Sequence, residues 1–91
     1  MVMKNEFGDR ISDMAGVSKE IIMNIPHITL AGNREVYIEN HKGILTYSEE
    51  CICVMTESGI LKISGRNLKI DMVRVADIFI SGYFYALEFE N

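Results

Sequence analysis

A five-residue phrase recurs along this chain, and it constrains the fold more than any other feature. Leu61-Lys62-Ile63-Ser64-Gly65 returns 17 residues later as Ile78-Phe79-Ile80-Ser81-Gly82. Ile28-Thr29-Leu30-Ala31-Gly32 has the same form: branched, any, branched, small, glycine. Apolar side chains at every second position give a ribbon one greasy face and one wet face, which is the signature of a half-buried strand. After each glycine a new alternating run begins, at Val36/Ile38, Leu68/Ile70 and Leu87/Phe89. Glycine tolerates positive φ, so Gly65 is expected to mark a chain reversal between two short strands.

The same reading predicts strands near 27–31, 34–39, 43–47, 50–56, 59–64, 67–72, 77–81 and 83–90. Gly32-Asn33, Asn40-His41-Lys42-Gly43, Ser48-Glu49, Ser58-Gly59, Gly65-Arg66 and Gly82 punctuate them. In 73–77 the alternation runs past its register, so a bend or β-bulge is expected there. Short strands at this spacing imply an all-β fold. A small curled antiparallel sheet or β-roll is the preferred form. The repeated phrase also admits a short β-solenoid, with two strands per coil.

Ninety-one residues make one domain, and 48% hydrophobic content supplies one core with little left for a deep cleft. The net charge of −4, from 13 acidic and 9 basic side chains, argues against nucleic acid as the main partner. No apolar run approaches the roughly 18 residues of a membrane-spanning helix, and the start has no apolar signal-peptide stretch. Two cysteines in such a chain point to reduced thiols and a cytoplasmic address.

Residues 1–16 read as an N-terminal arm, helical or flexible, ahead of a domain over 17–91. Met3, Phe7, Ile11 and Met14, at spacings of four, four and three, share one helical face. Gly8 and Gly16 weaken that helix, at about 1 kcal/mol each. Ser18 is placed to cap a short helical turn, and Pro26 ends it.

Few residues suggest chemistry. Cys51 and Cys53 share a strand face with Met55, but two thiols and two distant histidines fall short of the four ligands of structural zinc. They read as small buried apolar side chains, poorly placed for a mutual disulfide. His41 lies in a turn beside Glu39 with no nucleophile spelled out around it. The glycines are isolated, and no phosphate-binding loop is written. Lys62, Arg66 and Lys69 read as a solvated, edge-protecting row. If Tyr83, Tyr85, Leu87 and Phe89 face the core, Phe84 faces outward. Phe79 and Ile60 face outward by the same alternation, forming a patch that either the N-terminal helix or a second subunit covers.

Ile25-Pro26-His27-Ile28-Thr29-Leu30-Ala31-Gly32 and Val36-Tyr37-Ile38-Glu39-Asn40-His41-Lys42-Gly43-Ile44-Leu45 resemble the YabP/YqfC family of sporulation proteins. The run Ile38 to Leu45 is the most telling. Leu61 to Ile70, Asp77 to Gly82, Leu87-Glu88-Phe89 and the lead-in Val17-Ser18-Lys19-Glu20-Ile21-Ile22 fit as well. The YqfC branch is the nearer, with His27 standing where that branch has a basic residue. The resemblance implies a protein of endospore-forming bacteria, made in the mother cell and acting in spore development. In YabP-like members it implies a part in coat formation. It brings no enzymatic activity, cofactor or metal, and no catalytic residue. The expected function is therefore non-enzymatic association with other sporulation proteins or with itself, through Tyr37, His41, Lys42, Ile60, Phe79 and Phe84. The alternative is a membrane-peripheral adaptor that docks through the amphipathic arm, without an integral membrane segment.

Overall fold

The computed structural model describes residues 24–90. The expected N-terminal helix, the arm and the Ser18 cap lie outside these residues. Six strands form one sheet: β1 (His27–Ala31), β2 (Glu35–Glu39), β3 (His41–Tyr47), β4 (Cys51–Thr56), β5 (Gly59–Val73) and β6 (Asp77–Glu90). Their spatial order is β1-β2-β6-β5-β4-β3. Every neighbouring pair is antiparallel, which sets aside the solenoid, whose coils stack in parallel.

The repeated phrase marks something other than a pair of turns. No reversal occurs at Gly65 or Gly82; β5 and β6 continue through them as 15- and 14-residue strands. The reversal lies instead at 74–76, where the sequence suggested only a bend. The Arg74 amide donates to the Asp77 carbonyl at 2.7 Å to close that hairpin. The two glycines form a crease across the long hairpin. On one side, residues 59–64 of β5 join β4, β3 and the end of β6. On the other, 77–81 of β6 join β2, β1 and the end of β5. The two flanks are related by an approximate twofold. Leu61 and Ile63 in one correspond to Ile78 and Ile80 in the other, and Ile52 and Val54 correspond to Val36 and Ile38.

Those eight side chains, with Leu68 and Phe84, form a single core cluster. Ile38, Ile52, Val54, Ile63 and Ile78 are 0% exposed. The described residues contain no helical element to cover them. Both flanks feed this one cluster, and the sheet is a curled roll. The corner turns use the same bond twice. The Gly65 amide donates to the Glu50 carbonyl at 3.0 Å, and the Gly82 amide to the Arg34 carbonyl at 3.0 Å. Thr56, the buried polar residue of the core, donates to the Gly59 carbonyl at 2.6 Å and accepts from the Ser58 amide. Its hydroxyl is thus satisfied.

Glycine is required at the crease by close approach. A Cβ on Gly65 would stand 2.0 Å from the Tyr83 carbonyl oxygen, and one on Gly82 would stand 2.8 Å from that of Asn67. Gly65→Ala must push two paired backbones apart, and a loss of about 3–4 kcal/mol is expected. Gly32→Ala meets open space and only a left-handed backbone, so it should cost about 1 kcal/mol. Urea denaturation of the two variants beside the parent checks the ordering, which fails if the two losses are equal.

Candidate functional site: the outer face of the β1-β2-β6-β5 flank

Alternation turns Thr29, Tyr37, Phe79 and Met72 away from the core. Register then sets them side by side across four strands: Thr29 opposite Tyr37, Tyr37 opposite Phe79, Phe79 opposite Met72. The Tyr37 and Phe79 rings stack with centroids 4.2 Å apart and planes at 22°. Phe79 is 37% exposed and Met72 47%. A shallow groove beside them is floored by Thr29, Ala31, Glu35, Tyr37 and Phe79.

The corresponding row of the other flank reads Thr46, Cys53, Lys62 and Glu88. It has the same backbone and position but a polar surface. The fold therefore does not require an aromatic row at this place; only one flank carries it.

One end of the row is pinned by charge. The Tyr37 hydroxyl donates to Asp77 Oδ2 at 2.7 Å. Arg74 grips the same carboxylate with two bonds, Nε to Oδ1 at 2.7 Å and Nη2 to Oδ2 at 2.8 Å. The Asp77 side chain is only 15% exposed, although it sits in a turn. The guanidinium of Arg74, and after it the Tyr37 hydroxyl, hold the Asp77 carboxyl below the usual aspartate range. The hydrogen bond to Asp77 first, and burial after it, raise the Tyr37 phenol above its ordinary value. His41 joins the same group. Its Nδ1 accepts from the Gly43 amide at 3.0 Å, so its Nε2 carries the proton and donates to the Arg74 carbonyl at 2.8 Å.

Of the residues picked from the sequence, Tyr37, His41 and Phe79 come together here. Lys42 points elsewhere, in an ion pair with Glu57. Ile60 lies on the other flank, opposite Met55 and Glu90. Phe84 is a correction: it is 7% exposed and part of the core. Phe84 sits opposite Gly65 and Ala86 opposite Ser64, so Tyr85 is an extra residue on β6. That bulge reverses which side chains face inward, leaving Tyr85 at 69% exposure. Met72, Arg74 and Asp77 were missed. The i,i+3 opposite charges bracketing 75–76 were the available signal for a clamped turn.

Cys51 and Cys53 also differ from expectation. They share a face as foreseen, but it is the outer one, with Ile52 and Val54 inward and both thiols half-buried. Their sulfurs are 3.9 Å apart. Burial, and then the bond to Cys51, pushes the Cys53 thiol up. No cluster of three or more metal-ligating side chains occurs among the described residues. None of their elements is a helix long and apolar enough to cross a membrane.

The fold and this face describe a small antiparallel β domain with an exposed aromatic row on one flank. The chain belongs to the YabP family, whose sequence model matches residues 24–91. It is 32% identical over 79 residues to the uncharacterized protein YqfC of Bacillus subtilis (strain 168), a match covering 87% of this chain and 85% of that protein. Family membership points to a sporulation-related protein and brings no enzymatic family with it.

Two measurements probe the site. Protons bind the unfolded Asp77 before the folded one, so its stabilising contribution is full above the ordinary aspartate value of ~3.9 and fades as acid carries the pH through the lower folded value. Melting midpoints from pH 7 to 2.5 should fall less steeply in Asp77→Asn than in the parent. Parallel curves would show that Asp77 is not held as described. The Cys53 thiol should alkylate with iodoacetamide more slowly than an unhindered cysteine at neutral pH, read by peptide mass spectrometry.

Proposed function

We propose that the protein is a non-enzymatic component of spore development. It acts by binding other proteins through the outer face of the β1-β2-β6-β5 flank, in the mother-cell cytoplasm. The observation that carries this is the asymmetry between flanks. Two rows share backbone geometry, yet one is Thr-Cys-Lys-Glu and the other Thr-Tyr-Phe-Met. A stacked aromatic pair beside an exposed methionine is the composition of a contact centre. The Arg74–Asp77 clamp fixes the Tyr37 ring in advance, so little side-chain freedom is left to lose on binding. Family membership supports the setting.

Phe79→Asp combined with Met72→Asp tests the reading. Both side chains are partly exposed, so the fold should survive with a loss of about 1–2 kcal/mol from the broken stack. In a host lacking the gene, this variant should restore heat-resistant spores no better than the empty vector, while Lys62→Ala restores them fully. Full rescue by a folded Phe79→Asp/Met72→Asp protein would end the proposal. Normal spores in the deletion strain itself would remove the sporulation role.

A further inference from the structure

The described residues hold six lysines and arginines, and four of them, Lys42, Lys62, Lys69 and Arg74, are ion-paired. The other two, Arg34 and Arg66, make no ion pair among the described residues, although acidic groups outnumber basic ones in this chain. They come from separate elements, the β1–β2 turn and β5, and converge on one ring. Arg34 Cζ lies 4.3 Å and Arg66 Cζ 4.7 Å from the centroid of Tyr83. Cation–π contact holds each guanidinium by its face and leaves its N–H edge available to an acceptor.

The position of this pair matters as much as its charge. Tyr83 follows Phe79 by four residues on β6, and alternation puts Asp77, Phe79, Ser81 and Tyr83 on the same outer face. Four residues of strand, bent at Gly82, separate Phe79 from Tyr83, so their Cα atoms stand at most roughly 13 Å apart. Between them Ser81 is flanked by Glu35 on β2 and by Lys69 on β5, the latter paired with Asp71. The face therefore has an apolar end at Tyr37, Phe79 and Met72 and a cationic end at Arg34 and Arg66.

We propose that Arg34 and Arg66, held on the ring of Tyr83, receive carboxylates of the partner protein. The partner then presents an extended acidic segment with an apolar anchor about four residues from its carboxylates. This rests on the functional reading above and adds the partner's chemistry to it. Guanidinium–carboxylate pairs are directional and charge-assisted, so they set which way the segment lies; the aromatic row supplies the anchor pocket.

The test uses the full chain and two end-capped peptides, Phe-Ser-Ser-Ser-Glu-Glu and Phe-Ser-Ser-Ser-Gln-Gln, followed by amide and arginine Nε–Hε resonances. The acidic peptide should bind at least about fivefold more tightly than the glutamine one, through its charge-assisted contacts. It should shift the Phe79 amide together with both arginine signals. Arg34→Gln/Arg66→Gln should erase the preference and keep the Phe79 shift, as should salt raised to about 0.5 M. Equal binding of both peptides at Phe79 overturns the carboxylate receptor and leaves the apolar contact face standing. Shifts confined to other surfaces, or no binding by either peptide, overturn both. Preferential binding of a single-stranded oligonucleotide at the arginines overturns the acidic-protein version. So does a self-association that Arg34→Gln/Arg66→Gln abolishes, which would make a second copy the occupant.

Discussion

The contact between the backbones of β5 and β6 at Gly65 and Gly82 is the constraint on which this molecule depends. Two long strands can bend together only where neither carries a side chain into the other. At Gly65 even a methyl group would fall 2.0 Å from a carbonyl oxygen. The bend lets one sheet present two greasy faces to each other. Without it, five side chains that are now fully covered would need another element to shield them. The corner bonds from the Glu50 and Arg34 carbonyls tie the adjoining turns to the same crease, so turn and crease form together.

From the crease follows the approximate twofold, and from the twofold a comparison internal to the molecule. Positions that alternate inward are alike in both flanks: branched aliphatic residues that fill one core. Positions that alternate outward are free of that demand, and there the flanks part company. Lys62 and Phe79 occupy equivalent places in the repeated phrase, one pairing with Glu90 and the other stacking on Tyr37. The core accounts for the likeness. The core makes no demand on the outer rows, so it does not account for their difference.

Much of the architecture was legible in the chain because strands advertise themselves by alternation. The positions of β1, β2 and β4 follow the zigzag closely, and the antiparallel roll follows from their number and spacing. The crease was not legible. Glycine serves equally for a turn and for close approach, and only the partner strand distinguishes them, so alternation alone makes Gly65 and Gly82 look like breaks in strands that run on. Alternation carried through Tyr85 puts Phe84 outside, because nothing local marks Tyr85 as the bulged residue that Ala86 and Phe84 straddle in the register. For the candidate site, Tyr37, His41 and Phe79 were visible as outward or turn residues. The link among them through Arg74 and Asp77 spans up to 40 positions, beyond any local pattern. The Arg34–Tyr83–Arg66 cluster is of the same kind, assembled from three elements distant in sequence.

The long hairpin has a last consequence for how the domain comes apart. Because β5 and β6 each lend one half to both flanks, neither flank owns a complete set of strands. Melting either one strips the other of its central ribbon, so the two halves must be lost in a single all-or-none event. Fraying is left to β1 and to the far end of β3, whose near end is held to the 74–76 turn by the His41 amide and ring.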